Sequence, residues 1–469
     1  MSAATHLDLA SLVADATLRV PERVTMEVAE RAVHLILDGV GCGLAAQTQG
    51  LGQQMSASLH GWGDRGQHVV IGSSTRLGAR DAALLNGTLM HSLEFDDVHM
   101  ASVMHLTCAV FPAVLATGVH AGKSGQDVLF AYIAGLEIGA RLGMADGGGF
   151  QAKGFHPTSV VGSFAAACAS ALLLDANAEQ IRRSQGIALS LASGAMQFLE
   201  GGGTTKRLHA GWAAQAGMNA AMMAINGIQA PDRALEGKFG LYRSFLGRDI
   251  DVSASTESLA GVGRHWETLA IAIKPFPSAY YGHACVEAAI ELAHYDNLHL
   301  DEIEAVIAHI PSPVMPKIGE PLAAKQRPTT SAAAQFSLPY LVAAGLCRRQ
   351  LTLAELEPAS LQDPAIVAMA ARVRCEGDPD TAFPKVYPGA LSIRLKNGHT
   401  LTKQIPVNLG AVERPIANSF IVDKFVRSVG TPGAANLARA LLELGSVSDM
   451  KHYQNLLSTG VVGAEHMAA

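Results

Sequence analysis

Two long uncharged stretches, Met100–Gly122 and Phe155–Leu174, constrain this chain more than any other feature in it. Each is long enough to be mistaken for a membrane span, yet each carries His, Pro, Thr and Ser, which lipid disfavours. Small residues make up much of the rest. Such segments are expected as helices buried inside a protein, where Ala, Ser and Gly let neighbouring backbones approach closely. Val24–Cys42, Asp81–Phe95, Gln126–Met144, Asn177–Leu199 and Trp212–Asn226 also place apolar residues at helical spacing. No strand alternation interrupts them over roughly the first 265 residues, so an all-α domain is expected there.

The pattern changes after about Leu269. Glu304–Ile310, Ala371–Cys375, Ala390–Leu395 and Thr400–Ile405 have strand character, and the last two flank the turn Lys396-Asn397-Gly398-His399, a good hairpin signal. Ser331–Gly345 reads as a helix between strands, and Ser419–Leu457 returns to helix. The expected fold class is therefore mainly α: a large helical domain (1–268 plus 413–469) with a smaller α+β domain (269–412) inserted in it.

Composition narrows the function. Charged residues are 16% of the 469, net charge is -6, and no basic run appears, which excludes a nucleic-acid partner and a disordered chain. The six cysteines are scattered without CxxC pairs, so neither a disulfide framework nor a cysteine zinc site is expected. The N-terminus has no basic segment before an apolar core, and a cytoplasmic, non-membrane enzyme is the expectation.

Four polar clusters interrupt the apolar helices. The densest is His91-Ser92-Leu93-Glu94-Phe95-Asp96-Asp97-Val98-His99, followed by His105. It reads as an exposed loop with Asp96 or Asp97 capping a helix, as a metal site, or as a general acid/base centre built from imidazole and carboxylate. The second, Lys153-Gly154-Phe155-His156-Pro157-Thr158, follows three glycines and leads into a helix for which Thr158 or Ser159 is the expected cap. A helix N-terminus there favours an anion, and His156 is placed to meet one. The third, Glu200-Gly201-Gly202-Gly203-Thr204-Thr205-Lys206-Arg207-Leu208-His209, could cradle an anion. It lacks the order of a P-loop and the βαβ setting of a dinucleotide fold. The fourth, Lys274-Pro275-Phe276-Pro277-Ser278-Ala279-Tyr280-Tyr281-Gly282-His283, lies at the expected domain boundary. No GxSxG motif supports a serine hydrolase.

Taken in order, these motifs resemble the MmgE/PrpD family, which includes 2-methylcitrate dehydratase, cis-aconitate decarboxylase and iminodisuccinate epimerase. The matching residues are Asn86-Gly87 with His91 and Phe95-Asp96-Asp97; Gly154-Phe155-His156-Pro157-Thr158-Ser159; Lys206 with His209 and Gly211; Lys274-Pro275 with His283; and Phe336-Ser337 with Tyr340. The resemblance spans nearly the whole chain. It implies a helical domain, an α+β lid domain, a homodimer and an active site between the domains. It also implies a lining of Glu94, Asp97, His105, His156, Lys206, Lys274, His283 and Tyr340. Three residues depart from the family's usual pattern: Glu94 where Asp is common, Val98 where Thr is common, and Leu106 where Pro is usual. The first two bear on substrate choice, since a lost hydroxyl partner alters discrimination strongly.

The expected reaction needs no cofactor and no metal. His105 and His156 are the general acid/base pair, with Lys206 and Tyr340 assisting catalysis. Glu94, Asp97, Lys274, His283, Gly202 and Gly203 hold a small polycarboxylate substrate. Cations and N–H groups would stabilise an enolate-like transition state next to a carboxylate. The leading expectation is a lyase that decarboxylates or dehydrates; the alternative is an isomerase that moves a proton alpha to a carboxylate. A homologue without activity is the third.

Overall fold

The computed structural model describes residues 8–63, 65–200, 203–295 and 298–458. The fold is mainly α, and the chain divides into two compact units, the larger made of residues 1–92, 96–273 and 417–469, the smaller of 93–95 and 274–416.

The larger unit is built on the helices Met26–Thr48, Ala79–Met90, Thr107–Ala121, Gly125–Met144, Pro157–Leu173, Ala178–Leu191 and Leu208–Ile225. Their starts are encoded locally: the Thr25 side chain accepts from Val28 N, and Ser124 with Asp127 and Asn177 with Gln180 form capping boxes. Two helices stop sooner than periodicity suggests. The first ends at Met90, before Glu94 turns to φ 51°, and the Ala178 helix ends at Leu191, before Gly194 takes φ 131°. Neither angle belongs to a right-handed helix. Among the described residues of this unit are four two-residue strands, too short to carry a sequence pattern; one pair joins Val98–His99 to Ile271–Ala272. Among the described residues no helix is long and apolar enough to cross a membrane.

Close packing explains the Ala and Gly content. Ala83, Ala113, Ala116, Ala166, Ala214 and Met218 form one buried cluster shared by four helices. Gly87 and Gly211 let two helices touch backbone to backbone: a Cβ on Gly211 would lie 1.9 Å from the Leu84 carbonyl oxygen, and one on Gly87 2.7 Å from the Gly211 Cα. Backbone cannot rotate away as a side chain can, so Gly211→Ala should lower stability by about 1–3 kcal/mol or more. Gly61→Ala, with nothing within 4 Å, should be neutral or slightly stabilising. Urea unfolding of the two variants checks this, and equal midpoints would contradict it.

The smaller unit holds a four-stranded sheet in the order Val373–Asp378, Ile303–Pro311, Gly389–Leu395, Thr400–Ile405. Ile303–Pro311 pairs parallel with the first and antiparallel with the third. The expected hairpin is present: Leu395 N donates to His399 O, and Gly398, at φ 87°, takes the position that suits glycine. Val306, Ala308, Ile310, Leu391 and Ile393 pack with Ala288, Leu292, Val342 and Leu346 from the helices His283–Ala293 and Leu338–Arg348. The single helix expected over Ser331–Gly345 is two, Ser331–Ala334 and Leu338–Arg348. Ser337 breaks the run with non-helical backbone (φ -120°, ψ 81°), and Pro339 sits in the first turn of the second helix, where its missing N–H costs nothing.

Candidate active site

Local structure delivers a set of imidazoles to one point in the larger unit. His91 follows the last turn of the Ala79–Met90 helix, and His156 is the N-cap of the Pro157–Leu173 helix. The cap position was expected at Thr158 or Ser159. Pro157 takes the first turn instead, and the Thr158 hydroxyl accepts from the His105 backbone N at 3.0 Å. Between them the loop His99–Met104 closes on itself through His99 N to Met104 O (2.8 Å) and Met104 N to His99 O (3.2 Å). His99 braces it further, with Nδ1 2.8 Å from Ser102 Oγ and Nε2 3.1 Å from Glu267 Oε2. Val103 in this loop has φ 55°, costly for a β-branched residue (about 1–3 kcal/mol). The strained loop ends directly before His105.

The imidazoles are held at their Nδ1 atoms. His91 Nδ1 lies 2.7 Å from Asp96 Oδ2, and His105 Nδ1 donates to the Asp97 carbonyl at 2.7 Å while lying 3.5 Å from the same Asp96 oxygen. His156 Nδ1 lies 3.1 Å from His209 Nδ1. Ring centroids are 4.8 Å apart for His91 and His105, 5.5 Å for His91 and His156, which are stacked, and 6.3 Å for His105 and His156. Asp96 and Asp97 are fully buried, so the exposed capping loop is excluded. His91, Asp96 and His209 were absent from the residues selected by sequence, although all three lie in the quoted clusters. His91 and Asp96, five positions apart, were the available signal.

Burial sets the charge states. His156 is held well below the usual imidazole range by desolvation first, then by the charges of His91, Lys206, His209 and His105. His209 is lowered to about 4 by burial, His91 and Lys206. Asp97 is raised to about 8, chiefly by burial and by Asp96, against the hydrogen bond it accepts from Thr107 Oγ1 at 2.7 Å. Thr107 Oγ1 in turn lies 2.5 Å from the Tyr132 hydroxyl.

The Asp97 shift has a consequence for stability. A carboxyl raised in the folded state favours folding while protonated, and that contribution is lost as pH rises from the unfolded value near ~4 through about 8. Asp97→Asn removes this term. The variant should therefore gain stability relative to wild type over that interval and plateau above it, as read by unfolding midpoints from pH 4 to 9. A pH-independent difference would show that Asp97 is ionised throughout.

The remaining sequence-selected residues fall as follows. Lys206 belongs with the imidazole cluster, since its charge bears on His156, His209 and Cys108. Gly202 lies outside the described residues, and Gly203 is exposed. In the smaller unit, buried Lys274 donates to the Glu94 carbonyl at 3.1 Å and lies 3.6 Å from Glu94 Oε2. His283 Nε2 donates to Ser278 O at 3.2 Å, with its ring against Phe276 and Tyr280. Tyr340 is buried and its hydroxyl donates to Glu355 O at 2.6 Å, an engagement the sequence did not reveal.

Among the described residues two trios have ligand atoms within 4.8 Å of one another, His91-His105-His156 and His91-Asp96-Cys108, and either could gather round an ion. The Lys206 charge opposes positive charge at His156, while the Asp96 carboxylate beside His91 and His105 favours it. A cleft of about 570 Å³ in the larger unit is lined by two ion pairs, Arg233 with Glu236 (3.0 Å) and Arg243 with Asp249 (2.6 Å), and by Lys238.

Comparison with known proteins adds the family. Residues 7–253 match the MmgE/PrpD N-terminal domain and residues 276–449 the MmgE/PrpD C-terminal domain. The cis-aconitate decarboxylase-like protein oryM of Aspergillus oryzae is 27% identical over 462 residues, covering 93% of this chain and 94% of its own. The cis-aconitate decarboxylase of Aspergillus terreus is 29% identical over 429 residues, 87% of this chain and 86% of its own. The human cis-aconitate decarboxylase is 27% identical over 416 residues, 86% and 83% of the two chains.

Proposed function

The chain belongs to the MmgE/PrpD family and is an enzyme of the lyase class, and on that premise we propose that it decarboxylates a small polycarboxylate related to cis-aconitate, by acid/base chemistry without a cofactor. The observation that carries this reading is the cluster of His91, His105, His156 and His209, with Asp96 on His91 and His105 and the Lys206 charge beside His156 and His209. The names of the relatives favour CO₂ loss over the proton shift of an isomerase.

In such a reaction the bond from carbon to the departing carboxylate breaks, CO₂ leaves, and the electron pair delocalises toward a neighbouring carboxylate. A proton then closes the new C–H bond. The Lys206 ammonium serves the anionic groups and the negative charge that develops. Asp96 compensates the positive charge on His105 whenever that ring holds a second proton. His105 and His156 exchange protons with substrate. In this proposal Lys274, His283 and Tyr340 keep the roles expected for them, and the smaller unit acts as a lid that excludes water during turnover. A homodimer is part of the same reading.

Incubation with cis-aconitate, 2-methylcitrate, citrate and iminodisuccinate, followed by NMR in D₂O, tests the reaction. We expect CO₂ release from cis-aconitate with one solvent deuterium in the product. Deuterium exchange without net loss would establish the isomerase instead, water loss a dehydratase, and no turnover of any of the four would defeat the proposal. EDTA should leave the rate unchanged; loss that a divalent ion restores would overturn the cofactor-free chemistry.

A further inference from the structure

An Nδ1-to-Nδ1 contact between two imidazoles is a hydrogen bond only if one nitrogen carries a proton and the other does not. His156 and His209 make such a contact at 3.1 Å. The groups that bear on His156 are His91, His105, Lys206 and His209, with the Phe198 ring packed at its edge; those that bear on His209 are His91 and Lys206. Together with burial they keep both rings neutral near pH 7, so two arrangements remain: His156 donates, or His209 does.

His105 breaks the tie. A backbone carbonyl can only accept, so its contact with Asp97 O keeps the His105 proton on Nδ1 and leaves Nε2 bare whenever the ring is neutral. If His156 also donated at Nδ1, the two rings would present two bare Nε2 atoms and no proton. His209 is the more exposed partner, half-buried against a buried His156, so its bare nitrogen is the less costly one to leave.

We infer that His209 is a positioning residue that holds His156 with its proton on Nε2, making His156 the proton donor of the site beside a His105 whose Nε2 carries none. The inference rests on the decarboxylase reading above. As CO₂ leaves, the carbon takes the His156 Nε2 proton, His209 passes its Nδ1 proton to His156 Nδ1, and water returns a proton to His209 Nε2. One proton enters from solvent for each CO₂ released, and exchange with water restores the starting tautomers.

The test compares His209→Gln, whose amide can donate, with His209→Asp, whose carboxylate only accepts. On cis-aconitate, His209→Gln, which can hold the His156 tautomer but cannot pass a proton on, should lose about 10-fold or more in kcat, and His209→Asp, which can do neither, should fall further, by at least ~10²-fold, with KM little changed in both. Long-range proton–nitrogen NMR of the full chain should find His156 as the Nε2–H tautomer in wild type and His209→Gln, and as Nδ1–H in His209→Asp. Equal rates in the two variants, or an Nδ1–H tautomer at His156 in wild type, overturn the proposal. The wild-type spectrum needs no substrate, so it decides the role of His209 even if His209→Asp does not fold. It also decides it if none of the four polycarboxylates is turned over, a result that defeats the functional reading alone.

Discussion

His105→Ala should lower kcat on cis-aconitate by at least ~10²-fold, and by as much as ~10⁴-fold, the span of a general acid/base. His105 is the imidazole whose surroundings are most specified. Its backbone N is held by Thr158 Oγ1, its Nδ1 by the Asp97 carbonyl, and its approach by a loop strained at Val103. Alanine removes the ring and its Nδ1 contact but leaves the backbone anchor to Thr158 in place, so the fold should survive and KM should change little. Added imidazole should restore part of the rate, which a merely structural loss would not allow. A rate near wild type would remove His105 from the chemistry.

The strained loop also shows what could and could not be read in the sequence. The helices of the larger unit were legible because apolar periodicity and local caps specify them directly, as at Ser124-Asp127 and Asn177-Gln180. The sheet hairpin was legible because Asn397-Gly398 demands a left-handed turn. Where helices end was less legible, because the endings at Met90 and Leu191 are set by positive φ values at Glu94 and Gly194 that only tertiary packing fixes. At the site, polar clusters between apolar helices contained His105, His156 and Lys206, and the family resemblance singled them out. Proximity alone could not show that Asp96 rather than Asp97 meets His91 and His105. Neighbouring carboxylates are indistinguishable in sequence, and here one accepts from His91 while the other accepts from Thr107. The contact of His156 with His209, 53 positions away, has no sequence signature at all.

Lys424→Met should be the most destabilising of the substitutions considered, by about 3–5 kcal/mol, the range for breaking a buried ion pair from one side. Lys424, on the Asn418–Val429 helix, places Nζ 2.6 Å from Asp38 Oδ1 on the Met26–Thr48 helix, and both side chains are almost wholly buried. The carboxyl of Asp38 is raised by burial and by Asp96, and lowered by Lys424 first and Arg31 after it. Without the ammonium the folded protein can accept Asp38 only in its protonated form. Its folded-state pKa therefore rises further, and the stability it contributes when protonated is lost as pH climbs through that value, so the defect should be larger at pH 8 than at pH 5. The double variant Asp38→Asn, Lys424→Met leaves neither charge of the pair without its partner and should recover most of the loss. The same variant reaches the site: the Asp38 charge is one of the causes that raise Asp97, so removing it should lower the Asp97 pKa and bring its ionisation to a lower pH. Urea unfolding of both variants at pH 5 and pH 8 measures the first effect, and the pH dependence of stability of the double variant, with and without Asp97→Asn, measures the second. A single variant that loses less than about 1 kcal/mol at pH 8 would mean that water reaches Asp38 and that the two helices are joined by apolar packing, with the Asp38 charge screened from Asp97.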